Sequence, residues 1–281
     1  MNGFTIAILA VIAIILAVFV VDFFCLKVKR YRLSSKKIPK AAEGLSIVML
    51  TDLHERRFGK DNCRLIRKVE ELMPDVIVLC GDIVDRYGET GGSYVPLFEA
   101  LPKIAPTMMV FGNHDYSTKR TGELAVVAED AGIQILEDEC VEFQKNGAVI
   151  NIIGVADYLR ESVVVRTAAK RFDRIPVWDA DERYNILLCH RPVEMEDFSQ
   201  RDVDLMLCGH MHGGQLHIPF VGGVFAPDWG KFFPKYDKGL FRIGEMDLIV
   251  SSGLGASGIP LRFCLRPEIT LIEIYKKSKN S

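Results

Sequence analysis

Leu45-Ser46-Ile47-Val48-Met49-Leu50-Thr51-Asp52-Leu53-His54 is the stretch on which the reading of this chain turns. Leu45–Leu50 is short, near-continuously apolar and rich in branched residues, as expected of a strand covered on both faces. It ends in an acid and a histidine two positions apart. On an extended segment those two side chains share one side, so the strand delivers a carboxylate and an imidazole to one place. The pattern recurs further along. Asp75–Cys80 runs into Gly81-Asp82, and Thr107–Phe111 into Gly112-Asn113-His114-Asp115. Tyr184–Cys189 ends at His190, and Val203–Cys208 ends at Gly209-His210-Met211-His212-Gly213-Gly214. Ala148–Val155, Asp247–Ser251 and Glu268–Ile274 read as further strands. Five of the six histidines therefore lie just beyond a predicted strand. In α/β sheets that is where ligands bind.

Between the runs lie helical patterns. Asp61–Leu72 places Leu65, Ile66, Val69 and Leu72 on one face and stops at Pro74. Thr121–Ala131 reads as a second helix closed by Gly132, and Asn146-Gly147 between two β-rich runs predicts a hairpin. No internal repeat is present. One domain of mixed α/β type follows, over residues 45–281.

Carboxylate oxygen and imidazole nitrogen together suit Mn, Fe or Zn better than Ca, which prefers oxygen alone. A single carboxylate, Asp82, can bridge two metals. Two ions roughly 3.5–4 Å apart polarise a phosphoryl oxygen and supply hydroxide near neutral pH. The ordered set Asp-x-His, Gly-Asp, Gly-Asn-His-Asp, His and Gly-His-x-His, over residues 46–215, resembles the calcineurin-like metallophosphoesterase family. The extended Gly209–Gln215 motif and the tail from Pro260-Leu261-Arg262 to Pro267-Glu268-Ile269 resemble a membrane-associated branch. That branch holds YkuE/YaeI-like phosphoesterases and UDP-diacylglucosamine pyrophosphatases.

The resemblance implies a four-layer α/β/β/α sandwich and two divalent metal ions. It implies that Asp52, His54 and His212 hold one ion, that Asn113, His190 and His210 hold the other, and that Asp82 bridges them. It places His114 beyond the metals, protonating the leaving oxygen or binding phosphate, with Asp115 orienting it. The implied reaction is direct hydrolysis by hydroxide activated at the metal pair. No ligand position departs from the pattern, which argues against a non-catalytic scaffold on this fold.

Residues 1–26 read as a transmembrane anchor. Gly3 to Val21 holds no charge, no basic residue precedes it, and no A-x-A-like cleavage site ends it. Residues 27–44 read as a basic juxtamembrane linker, with seven Lys or Arg between Lys27 and Lys40 and no acid. By the positive-inside rule the catalytic domain is expected in the cytoplasm, with the cluster near anionic headgroups. Residues 41–281 carry 28 basic and 36 acidic residues, a net −8, which argues against a nucleic-acid partner or a nuclease. Seven irregularly spaced cysteines fit a reducing compartment.

The anchor and the resemblance favour a phosphodiester or pyrophosphate in a lipid-linked molecule. A phosphomonoester or phosphoprotein substrate is the alternative. Arg56 and Arg57 are either phosphate ligands or solvated charges, and Arg262 either a substrate ligand or a structural partner. Cys80, Cys189 and Cys208 read as packed core, and His217 as structural. Between residues 218 and 241, Phe220, Phe225, Trp229, Phe232, Phe233, Tyr236 and Phe241 are interleaved with Lys231, Lys235 and Lys238. This segment is either an aromatic-basic lip in the headgroup layer or a loop packed on the domain.

Overall fold

A computed structural model describes residues 3–86, 92–118, 120–157, 182–193, 195–218, 220–225, 232–257, 262 and 264–278, apart from the side chains at 15, 16, 18, 19 and 23. In chain order the helices are α1 (Gly3–Phe24), α2 (Cys63–Glu71), α3 (Val95–Ile104), α4 (Asn113–Ser117), α5 (Thr121–Asp130) and α6 (Met195–Ser199). The strands of the first half are β1 (Lys27–Ser35), β2 (Leu45–Leu50), β3 (Val76–Cys80), β4 (Thr107–Val110), β5 (Gln134–Ile135), β6 (Glu139–Lys145) and β7 (Ala148–Val155). Those of the second half are β8 (Asn185–Cys189), β9 (Leu205–Cys208), β10 (His217–Ile218), β11 (Gly222–Gly223), β12 (Gly239–Ile243), β13 (Met246–Val250) and β14 (Glu268–Lys276).

The fold is mixed α/β with two multi-strand sheets. Among the described residues one sheet runs β1-β14-β2-β3-β4-β5 and the other β12-β13-β9-β8-β7-β6, with β10 and β11 as a separate ribbon. β2 to β5 are mutually parallel, as are β7, β8, β9 and β13.

The apolar runs are continuous because each central strand feeds two cores. In β2, Leu45, Ile47 and Met49 face the opposite sheet, while Val48 and Leu50 face helices α2, α3 and α5. In β9, Leu205 and Leu207 face the first sheet, while Met206 and Cys208 pack outward with Met195 and Phe198 of α6. Sheet packs on sheet, helices cover the first, and α6 with Tyr236 and Phe241 covers the second among the described residues. Each fully buried Leu or Phe in these layers is worth about 1.5–3 kcal/mol of hydrophobic transfer. Cys80 and Cys208 are ordinary core groups, since burial raises both thiols well above their usual range.

The Asn146-Gly147 hairpin joins β6 to β7 as expected, with φ of 51° and 80° at the two turn residues. A two-residue turn with positive φ at both positions matches strand twist, which is why Asn-Gly signals it.

The 27–44 stretch is not a free linker. Lys27–Ser35 is strand β1, parallel to β14 along all nine residues. Its alternation was hidden by charge: Tyr31 and Leu33 point into the inter-sheet core while Arg30, Arg32 and Ser34 face solvent. Lys27 pairs with Glu268, Arg32 with Glu273, and Lys37 with Asp202 and Asp204. The domain therefore begins at Lys27.

α1 is a 22-residue helix whose described side chains are almost all exposed, Phe4, Ile8, Ile12 and Val20 among them. Counting only the described residues, no helix is long and apolar enough to cross a membrane. The carbonyls at its C-terminal end are satisfied from the domain. Arg64 Nη2 donates to Phe24 O at 2.8 Å, and Arg266 donates to the carbonyls of Cys25 and Leu26 at 3.2 and 3.0 Å. Cationic donors at a helix C-terminus meet both its free carbonyls and its dipole.

Candidate metal centre

Every loop singled out in the sequence leaves the C-terminal end of a strand and enters one buried crevice between the two sheets. Asp52 and His54 follow β2, Asp82 follows β3, Asn113 follows β4, His190 follows β8, and His210 and His212 follow β9. All seven are buried. Five of them, Asp52, His54, Asp82, His210 and His212, have φ between 45° and 68°. Non-glycine residues adopt that conformation at a cost, and such strain concentrates where side-chain aim matters. The loops touch closely enough that Gly112 has no room for a side chain: a Cβ there would overlap the Asp82 carboxylate.

The ligand atoms converge in overlapping groups. Asp52, His54 and His212 each offer an atom within 4.8 Å of the others, and so do Asp82, His190 and His210. His54 joins Asp82 and His114 in a third group, so the Asp82 carboxylate lies between the two halves. His54 Nε2 lies 3.2 Å from His212 Nε2 and 3.7 Å from Asp82 Oδ2. His190 Nε2 lies 3.2 Å from Asp82 Oδ2, and its Nδ1 lies 2.7 Å from Cys80 O. That carbonyl only accepts, so Nδ1 carries a proton. The outer contact also aims Nε2 inward, as in metal-ligating histidines.

These residues fit divalent cations. Asn113 Oδ1 is buried and has no hydrogen-bond partner among the described residues. Groups of that kind are rare inside proteins unless an ion or water meets them. Burial lowers the His54 pKa to about 4, and burial with His54 and Arg262 nearby holds that of His212 well below the usual imidazole value, so both rings are neutral and able to ligate. Burial opposes the Asp82 charge, yet the surrounding His190 and His54 hold its pKa well below the usual carboxylate range. Burial alone would lower the His190 pKa, but attraction to Asp82 raises it to about 10. The buried Asp82 carboxylate thus demands positive charge at the centre of the cluster. Mixed N/O donors of this kind suit Mn, Fe or Zn.

Asp52 is fixed from two sides: Thr51 Oγ1 donates to it at 2.9 Å and the His210 amide at 3.0 and 3.1 Å. Asp115 does not orient His114. Its carboxylate accepts the backbone N–H groups of Asp82 (2.8 Å), Ile83 (2.9 Å), Val84 (3.1 Å) and Gly112 (2.9 Å). It is a clamp that ties the β3 loop to the β4 loop and so sets the position of Asp82. Burial, with the nearby Asp82 charge, raises its pKa to about 7.

His114 has other neighbours, which the sequence did not suggest. Its amide donates to Asp82 Oδ1 at 2.8 Å. Nδ1 lies 3.3 Å from Asp85 Oδ1 and 3.3 Å from the Arg86 amide. Nε2 lies 3.2 Å from Arg86 Nη2 and 3.3 Å from Ser257 Oγ. Arg86 presents donors to both ring nitrogens, its amide N–H to Nδ1 and its guanidinium to Nε2, and a neutral imidazole accepts at only one of them. The one local signal for this partnership is that Asp85-Arg86 directly continues the Asp82 loop.

The other arginines divide. Arg56 donates to Leu254 O at 3.1 Å and stacks 5.2 Å from the Phe58 ring. Arg57 is exposed and lines a cavity of about 520 Å³ with Gly59, Lys60, Asn62 and Ser93, a space with none of the seven ligands in its wall. Arg262 is buried and donates to the carbonyls of Ser252, Leu265 and Gly255. It is a structural residue that ties Ser252, Gly255 and Leu265 together. His217 lies 3.7 Å from Asp237 and outside the metal cluster, as expected.

Comparison with known proteins agrees with this geometry. The calcineurin-like phosphoesterase family model matches residues 45–214. YkuE of Bacillus subtilis, described as an uncharacterized metallophosphoesterase, is 28% identical, over 89% of this chain and 85% of its own. Phosphodiesterase YaeI of Escherichia coli is 30% identical, over 83% of both chains. A zebrafish (Danio rerio) protein described as a transmembrane protein with metallophosphoesterase domain is 30% identical, over 88% of this chain and 56% of its own.

Proposed function

Because the chain belongs to the calcineurin-like phosphoesterase family and is a metallophosphoesterase, we propose that it hydrolyses phosphodiester or pyrophosphate bonds in lipid-linked substrates at a membrane surface. The observation that carries this reading is the buried set of ligand atoms that converge around Asp82 at the strand ends. Asp52, His54 and His212 would hold one divalent ion, Asn113, His190 and His210 the second, with Asp82 shared. When bound, the pair supplies Lewis-acid polarisation of the phosphoryl group and an activated water.

The chain's own residues then set the geometry. Asp115 fixes the Asp82 loop, and Thr51 with the His210 amide fixes Asp52. His114 faces the reacting phosphate at the edge of the cluster. Arg86 presents its guanidinium to Nε2. Protonated, Nε2 would give its proton to the leaving oxygen, with Asp85 steadying Nδ1. Arg86 would turn to the phosphate oxygens, the usual partner of a guanidinium fork.

The membrane part of the reading rests on α1. Counted over its full sequence, including the five positions whose side chains lie outside the described residues, α1 has twenty-two residues, and at about 1.5 Å each its length of about 33 Å matches a hydrocarbon core of about 30 Å. The basic residues that follow would leave the domain in the cytoplasm. The zebrafish relative's description points the same way.

The test uses the full chain in detergent, with bis-p-nitrophenyl phosphate and p-nitrophenyl phosphate as probes and Mn²⁺ added. Diester turnover that needs metal and is lost in His114→Ala supports the reading. Faster turnover of the monoester would move it to a phosphomonoesterase or phosphoprotein phosphatase. Absence of turnover with two metals bound would favour the scaffold alternative.

A further inference from the structure

Among the described residues, six of the nine large exposed apolar side chains outside α1 lie between residues 218 and 233. Ile218, Phe220, Val221, Phe225, Phe232 and Phe233 all face solvent; Phe220 is fully exposed (109%), and Phe232 and Phe233 more than half (63% and 58%). Backbone bonds hold them there. β10 and β11 pair antiparallel, the Val224 amide donates to Leu216 O at 2.8 Å, and the Phe233 amide to Val224 O at 3.0 Å. Phe225 bridges Phe232 across the ribbon with ring centroids 5.2 Å apart. A patch of aromatics fixed outward in water marks an interaction surface.

Two positions identify what that surface meets. The ribbon leaves the metal loop at once: the Phe225 amide donates to Gly214 O at 3.1 Å, two residues beyond His212. Its base also lies beside the end of α1. Gly223 of β11 packs against Gly214, and Gly213 packs against Lys238 and Leu265, the residue before Arg266; Lys27, three residues past that helix, pairs with Glu268 at 3.8 Å. Arg64 holds the last carbonyl of α1, Arg266 holds those of Cys25 and Leu26 just past it, and Lys27 N donates to Pro267 O at 2.8 Å, so helix and domain meet without slack. An apolar ribbon fixed beside the end of an apolar helix, with Lys27 and Lys235 at its flanks, has the make-up of an interfacial anchor: aromatics for the acyl boundary and cations for headgroups.

We propose that the ribbon is a second membrane contact, seated in the headgroup layer of an anionic bilayer. There it brings the mouth of the metal site to the lipid surface, where a phosphate at the headgroup can enter. This inference rests on α1 being the membrane anchor.

The test reconstitutes the full chain in vesicles of phosphatidylcholine and phosphatidylglycerol. It carries Phe220→Trp in a background of Trp178→Phe and Trp229→Phe, with an unchanged Tm as the check on folding. The expected emission is blue-shifted and quenched more by lipids brominated near the headgroup than by lipids brominated near the bilayer centre. Red, unquenched emission from a chain that floats with the vesicles overturns the ribbon contact and leaves the anchor standing. A chain that does not float overturns the anchor and this inference with it.

Discussion

Asp115→Asn separates two roles for one carboxylate. Asp115 Oδ1 accepts from Ile83 and Val84, and Oδ2 from Asp82 and Gly112. An amide keeps one acceptor oxygen but turns an NH₂ toward two N–H donors, so two buried bonds are lost whichever way it is flipped. Each buried donor left unpaired costs about 1–3 kcal/mol, which puts the loss for two at about 2–6 kcal/mol. At roughly 2–4 °C per kcal/mol for a domain of this size, a mid-range loss lowers Tm by about 8–16 °C. The Asp82 loop also loses its brace, so metal affinity falls too. Thermal denaturation of the metal-free chain, followed by Mn²⁺ titration, reads both effects. A variant with wild-type Tm and metal affinity that lost only turnover would refute the clamp and restore Asp115 as the group that orients His114.

Asp85→Asn, which removes the carboxylate beside His114 Nδ1, is expected to lower kcat by about 10–100-fold, within the usual contribution of acid–base groups, with KM and Tm little changed; steady-state kinetics on the diester checks it. Asn113→Ala is expected to reduce bound metal from two ions toward one while Tm of the metal-free chain stays near wild type, as read by metal analysis beside denaturation. Phe198→Ala on α6 is expected to cost about 3–5 kcal/mol of stability through the cavity it leaves, while metal stoichiometry is kept; chemical denaturation and metal analysis decide. Leu33→Asp, inside β1, is expected to unfold the chain or lower its Tm sharply, since it buries a charge; a mild effect would return residues 27–35 to the status of a linker.

The convergence of the candidate metal ligands was legible because each stands just after an apolar run, and in parallel sheets the ends of such runs meet. Asp52, His54, Asp82, Asn113, His190, His210 and His212 could be read one strand at a time. β1 was illegible for the opposite reason: its two inward residues, Tyr31 and Leu33, are outnumbered by Lys and Arg that only an edge strand with one open face tolerates. The short strands β5, β10 and β11 are two residues long, below any periodic signal. Asp115 was found but assigned the wrong partner, because its donors are amides of a loop some thirty residues earlier, brought near by β3–β4 pairing. Ser257 and Arg262 lie on the long connection after β13, where neither period nor motif speaks. The aromatics after residue 218 were visible, but whether they point in or out is a tertiary fact: Tyr236 and Phe241 pack on the second sheet while Phe220 and Phe232 face solvent.

The central claim is that two metal ions share Asp82. Anomalous diffraction from crystals of the Mn²⁺-loaded chain tests it most directly. The account predicts two peaks roughly 3.5–4 Å apart, one beside Asp52, His54 and His212 and one beside Asn113, His190 and His210, with the Asp82 carboxylate between them. A single peak, or none, in crystals of a chain that still hydrolyses the diester would contradict it.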